Sequence, residues 1–298
     1  MTSPPRILVL PPRLTASART LRASALRRGL RIVEATASAV PEGLGSPGWA
    51  RWAEGAGWLE EAGLTAGTGR TADPGRTAST ENTGGTEGEG HAVHLHAGPS
   101  FADVVAPALG VALLEAPADW LARLPRALTR REILSMPIGE AYRLRRPAFV
   151  KSPNDKSISA LVYADGSRLP GPDAVDPATP VLVSDVMTFA VEYRLHLLDG
   201  AVHAAGQYAE AGRLRLGPPD GDALAFGRDV LATAGETLPS AIVVDVGRND
   251  EGRWAVIEAN AAWASGCYSA DPDRALDTVL RAAGPATDLS PHDRGFVR

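Results

Sequence analysis

The chain has 298 residues, 44% hydrophobic and 22% charged, with a formal net charge of −5. That balance belongs to a soluble globular protein with room for one large or two modest cores, and it argues against a generic nucleic-acid binder, which needs a basic face to neutralise phosphates. Cys267 is the single cysteine, which excludes an intrachain disulfide and a cysteine-based zinc site.

The apolar run at the N-terminus is too short for a secretion signal or a spanning helix, so a cytoplasmic protein without membrane insertion is expected. Arg6–Leu10 reads as a first strand stopped by Pro11-Pro12. Thr15 is placed to cap a helix running to about Arg28, Gly29 stops it, and Arg31–Ala35 reads as a second strand. This order predicts a parallel unit. No G-x-G-x-x-G or G-x-x-x-x-G-K-[ST] occurs, so a dinucleotide fold or P-loop has no motif support. Trp49, Trp52 and Trp58 read as a helical turn over a core edge. Residues 66–90 contain no Val, Ile, Leu or aromatic side chain, which predicts a disordered or looped insertion.

His91–Ala97 resumes strand character, with His94 and His96 on one face and expected to be partly exposed; a metal site there lacks a clear third ligand. Ser100 and Asp103 form a capping-box-like start for a helix to Leu109, and Val111–Leu114 reads as the next strand. Residues 1–118 thus read as a three-layer α/β domain. Asp119–Leu144 reads as helical, interrupted at Pro125 and Pro137.

Pro147–Lys151 reads as a strand, SPNDKS as a loop and Ile158–Tyr163 as the strand leaving it. Lysine and arginine total 30, yet the only lysines are Lys151 and Lys156, one at a strand end and one on the loop. Lysine is a compact ammonium on a flexible stem that can follow a phosphate; chance clustering is the competing reading. Val181–Ser184 runs into Asp185-Val186-Met187-Thr188, and Phe189–Leu198 returns through Asp199-Gly200 as Ala201–Tyr208. Alternation puts Glu192, Arg194 and His196 on one face, either a solvent face or a site. Asp222–Leu238 reads as a helix, Asp271-Pro272 opens another to about Ala283, and residues 286–298 read as a tail.

Ala241–Val246 and Trp254–Ala259 flank the turn cluster Gly247–Gly252, a hairpin pattern. Glu258 and Asn260, two apart on one strand, project together, and Asp245 joins them if the register allows. Two carboxylates and an amide oxygen make a hard-oxygen set suited to Mg²⁺. Solvated acids beside a turn are the plainer alternative.

The order Asp, turn, apolar strand, Glu-x-Asn resembles the magnesium hairpin of the ATP-grasp superfamily. The lysine strand, the linker and the Glu192/Arg194 hairpin precede it in the matching order, so the resemblance covers about residues 119–285. It implies an N-terminal α/β domain followed by an ATP-grasp-like α+β domain with antiparallel sheets. It further implies that Lys151 meets the α-phosphate and adenine edge and that Lys156 lies on the loop reaching over ATP. The backbone of Asp185, Val186 and Met187 would bond adenine, Glu192 would hold the ribose and Arg194 would contact phosphate. Asp245, Glu258 and Asn260 would hold the Mg²⁺ that bridges the β- and γ-phosphates. SPNDKSISA has no glycine where most members carry a glycine-rich flap, which points to a divergent subgroup. The implied activity is an ATP-dependent ligase joining a small-molecule or peptide carboxylate to an amine through an acyl phosphate. A kinase of a small acid, sugar or nucleic-acid end and a non-catalytic nucleotide sensor are the alternatives. Acceptor contacts are expected in 261–270, from Trp263, Ser265 and the Gly266 backbone. The oligomeric state stays open, a homodimer included.

Overall fold

The computed structural model describes residues 6–35, 92–154 and 157–298. Lys156, the three N-terminal tryptophans and residues 66–90 lie outside them. β1 (Arg6–Leu10), α1 (Ala16–Arg27), β2 (Arg31–Glu34) and β3 (Ala92–Leu95) build a parallel sheet in the order β2-β1-β3. Thr15 caps α1 by accepting from the Ala18 N–H at 3.1 Å, and Gly29 ends it at φ 74°, where a side chain would be strained. β1 is buried on both faces. Leu8 and Leu10 meet Leu21 and Ala25 of α1, while Ile7 and Val9 meet Ala102 and Val105 of α2 (Pro99–Ala108). That makes the three layers.

Two local expectations change here. The helix α2 begins at Pro99, whose ring presets the first-turn φ, and not at Ser100; Asp103 instead accepts from Arg298 at 2.6 Å. His94 and His96 are buried at 8% and 6% exposure, because the chain returns to cover their face: His94 Nδ1 lies 2.7 Å from the Leu280 carbonyl. The strand β4 (Val111–Leu113) follows α2.

The stretch 119–144 is not mainly helical. It holds three single turns, α3 (Trp120–Arg123), α4 (Arg126–Thr129) and α5 (Ile138–Ala141), with the strand β5 (Ile133–Pro137) between the last two. β5 pairs with β8 (Pro180–Ser184) from Ile133↔Ser184 to Pro137↔Pro180. A complete ladder with a distant partner overrides local propensity. β6 (Ala148–Lys151) and β7 (Leu161–Tyr163) complete an antiparallel sheet in the order β5-β8-β6-β7.

The second antiparallel sheet joins β9 (Phe189–Leu198), β10 (Ala201–Glu210), β11 (Arg213–Gly217), β12 (Ala241–Asn249) and β13 (Trp254–Asn260) in the order β11-β10-β9-β12-β13. β11 was not foreseen, although Arg-Leu-Arg-Leu alternates as a strand does. α6 (Gly221–Ala234) covers one face, with Ala223, Phe226 and Val230 in one core with Leu195, Leu197, Val244 and Val246. On the other face, Ala241 and Val243 share a core with Ile7 and Val9. α7 (Pro272–Ala282) packs Leu276 and Val279 with Leu8 and Leu21. β14 (Ala283–Pro285) pairs with β4, and Val297 bridges Leu114, so the last residues are held against the N-terminal half. No helix among the described residues is long and apolar enough to cross a membrane.

Candidate active site

The hairpin of β12 and β13 carries the candidate acids, and a register shift decides where they point. Asp245 pairs with Glu258 and Val243 with Asn260, but the next pair is Val246 with Val256, so Ile257 is the extra residue of a β-bulge. Without it, Val256 and Glu258 would share a face. With it, Val256 joins Val246 in the α6-side core, and Glu258 turns to the side of Asp245. Arg131 serves the bulge: Nη1 donates to the Val256 carbonyl at 2.9 Å and Nη2 to that of Ile257 at 3.2 Å. Burial lowers the Arg131 pKa to about 10, against the pull of Asp185 and Glu258. Sequence reasoning missed Arg131, and no spacing or motif marks it.

The three candidate metal ligands meet. The Asn260 amide nitrogen donates to Asp245 Oδ2 at 3.2 Å and to Glu258 Oε1 at 2.8 Å. Each acid also holds one cation. Arg194 grips Asp245 in a bidentate pair, and Lys151 hydrogen-bonds Glu258 Oε2 directly. Burial raises the Asp245 carboxyl, and Arg194 works against that rise. Burial also opposes the charge on Glu258, but Lys151 and the Asn260 amide overcome it and hold the carboxyl below its usual range. For Arg194 burial lowers the pKa, and Asp245 more than offsets it.

Glu192 lies one step along β9 from Arg194 and has no cationic partner among the described residues. It accepts from the Tyr208 hydroxyl at 2.6 Å. Burial raises its pKa, the Tyr208 bond opposes the rise, and Asp245 and Glu258 add to it. Tyr208 stacks on Tyr268, with centroids 5.1 Å apart and planes 18° off parallel, and the Arg194 guanidinium lies 4.8 Å from the Tyr268 ring centre. The face shared by Glu192, Arg194 and His196 is therefore interior: Arg194 and His196 are buried.

The linker from β8 to β9 is tied down at Asp185, whose N–H donates to the Glu132 carbonyl at 3.2 Å and whose carboxylate accepts from Arg146 at 3.0 Å. Val186 is half exposed beside it, and Met187 is partly buried. A cleft lined by Ala116, Trp120, Lys151, Asn154, Leu182 and Glu258 opens beside the acids. Two expected acceptor contacts do not face it. Trp263 is fully buried and donates its indole N–H to the Leu114 carbonyl at 2.9 Å, while the Ser265 hydroxyl donates to the Ala261 carbonyl. The Gly266 carbonyl does reach the site, accepting from Arg194 at 3.3 Å. Tyr268 and Ser269 are the loop side chains that border it. Cys267 sits in the core with Leu8 and Leu21.

Among the described residues no three His, Cys, Asp or Glu side chains cluster to hold a metal. The candidate set needs the Asn260 amide as its third member, and that amide already lies between the two acids. Hard oxygen donors held together, with cations now balancing them, fit Mg²⁺.

A family model described as an ATP-grasp domain, family 2 of its clade, matches residues 128–278. The chain belongs to this ATP-grasp family. The matched span takes in both antiparallel sheets and every site residue named above. Solved ATP-grasp structures show distant likeness over the whole chain. The D-cycloserine synthetase DcsG is 14% identical at a TM-score of 0.48, covering 91% of this chain and 98% of that one. The ATP-grasp ligase PsnB, complexed with minimal precursor, is 13% identical at 0.44, covering 93% and 99%. A RimK domain ATP-grasp protein from Sphaerobacter thermophilus DSM 20745 is 14% identical at 0.44, covering 92% and 99%. No curated protein matches the chain. ATP-grasp membership therefore rests on the family model and agrees with the mixed architecture of antiparallel sheets and helices.

Proposed function

We propose that this ATP-grasp protein is an ATP- and Mg²⁺-dependent ligase that joins a carboxylate to an amine and releases ADP and phosphate. One observation carries the reading: Lys151, Arg194, Asp245, Glu258 and Asn260 come from strands of two sheets and form one continuous network. Asp245, Glu258 and Asn260 would hold Mg²⁺, which would neutralise phosphate charge. Lys151, 12% exposed beside Glu258, is a flexible cation that can exchange its carboxylate for a nucleotide phosphate. Arg194 stays locked to Asp245 and presents a fixed positive charge to the transferred group. The linker backbone at Val186 and Met187 fits the adenine edge, Glu192 the ribose or the acceptor side, and Lys156 the loop over the nucleotide. Transfer of the γ-phosphoryl to a carboxylate oxygen breaks the bond to ADP and gives an acyl phosphate. Attack by an amine then forms the amide and expels phosphate.

The protein incubated with ATP, magnesium, hydroxylamine and pooled carboxylates should yield ADP and a hydroxamate. AMP with pyrophosphate would overturn the mechanism, and ADP with a phosphorylated acceptor but no hydroxamate would establish the kinase instead.

A further inference from the structure

The geometry points to β11 as the docking edge for an extended peptide in which acidic and apolar residues alternate. β11 is the last strand of its sheet, paired with β10 on one side and with no strand on the other among the described residues. Such an edge offers backbone donors and acceptors to an added strand. Natural edges are blunted by charge, bulges or a covering element. Here Arg213-Leu214-Arg215-Leu216-Gly217 keeps its two leucines 73% and 55% exposed on one face, with the arginines on the other. Arg213 has no carboxylate partner among the described residues. Arg215 meets Glu210 at 3.3 Å in a solvent-exposed pair that contributes little.

Charge selects the occupant. A second copy of this chain would set an arginine-rich edge against another, and like charges across a ladder repel. A strand with Asp or Glu at every second position places carboxylates along the arginine face and apolar side chains along the leucine face. The edge also leads to the site. Ser269 Oγ lies 2.7 Å from both the Gly217 and the Gln207 carbonyls, fastening the end of β11 to the loop that carries Tyr268. Tyr268 stacks against Tyr208 beside Arg194 and Asp245. A peptide on β11 therefore brings one end to the acids. This rests on the ligase reading for the peptide's fate, but docking itself needs no nucleotide.

The test uses a labelled, end-blocked peptide of alternating Glu and Leu with the full chain, nucleotide-free, followed by fluorescence anisotropy. Saturable binding is expected, weakened about tenfold or more by Arg213→Glu/Arg215→Glu and by raised ionic strength. Leu214→Asp should weaken it too, with an unchanged melting curve since the site is exposed. N-methylation of alternate peptide amides on the pairing edge should abolish it, and Glu258→Gln should leave it intact. The proposal falls if the peptide does not saturate, if the N-methylated form binds equally, or if a Lys-Leu peptide binds as well. It also falls if sedimentation shows a dimer that Leu214→Asp dissolves, since β11 would then serve a second copy. Peptide binding without ADP formation from any carboxylate would count against the ligase reading alone. ADP and hydroxamate from small acids without peptide binding would count against docking alone.

Discussion

Arg194 and Asp245 face each other across the ladder between β9 and β12 and meet through two bonds, Nε to Oδ1 at 2.8 Å and Nη2 to Oδ2 at 2.7 Å. Their side chains are 10% and 2% exposed, so neither charge has water to replace its partner. Breaking such a pair strands a buried charge and costs roughly 3–5 kcal/mol, whereas replacing both partners with apolar groups can be neutral. Arg194→Met should therefore lower the unfolding free energy by that amount, and Arg194→Met/Asp245→Leu should recover most of it. Urea unfolding of both variants is the measurement. A double variant no more stable than the single one would show that Asp245 leans on other groups.

Glu258 differs, being 28% exposed and paired with the mobile Lys151. Glu258→Gln keeps the shape and removes the charge that would hold a cation. The fold should survive with its melting temperature nearly unchanged, while magnesium-dependent turnover falls on the order of 100-fold. A magnesium titration of ADP release checks this. Wild-type turnover across the range would remove Glu258 from the site.

His196 has 0% exposure and no hydrogen-bond partner at either ring nitrogen. Burial lowers its pKa to about 3, and Arg194, His203 and His96 push the same way. Burial lowers His96 to about 4, with a backbone bond at Trp263 opposing. Both folded values lie below the ordinary 6.5, so below that pH the unfolded chain takes up protons that the folded chain refuses. Stability from these groups is present above about pH 6.5 and is lost toward pH 4, by up to about 1.4 kcal/mol per pH unit for each histidine. His196→Leu removes one of the two contributions without leaving an orphaned polar group. Unfolding at pH 7 and pH 5 should show a smaller difference in the variant, and an equal difference would place the titration elsewhere.

What the sequence disclosed follows the reach of local patterns. The strand at Arg6–Leu10, the Thr15 cap and the Asp199-Gly200 hairpin are written in adjacent residues, and the structure repeats them. Glu258 and Asn260 sharing a face followed from a spacing of two. That Asp245 joins them did not follow, because the bulge at Ile257 depends on Arg131 reaching across from before β5. β5 was missed for a related reason: Ile133–Pro137 becomes a strand through its ladder with Pro180–Ser184. The buried Trp263 read as a site residue because its sequence position is close to Asn260, although its ring turns into the N-terminal core.

Gly206 sits in β10 opposite Arg194, where the loop after β13 crosses closest. A methyl group there would lie 2.3 Å from Ser269 Oγ and 2.6 Å from the Ala270 backbone nitrogen. The hydroxyl can swing away, but the backbone nitrogen cannot without moving its loop, and Ser269 also fastens that loop to Gly217 and Gln207. Overpacking of this kind costs about 1–3 kcal/mol. Gly206→Ala should accordingly lower stability by that amount and shift Tyr268 off its stack with Tyr208. Arg194 and Asp245 lie on neighbouring strands and keep their pair, so nucleotide binding should persist while transfer to the acceptor weakens. Nucleotide affinity by calorimetry, compared with hydroxamate formation in the same preparation, separates the two effects. Equal loss of both would mean that the loop at Tyr268 belongs to the nucleotide side of the site, and no loss of either would mean that the loop moves freely.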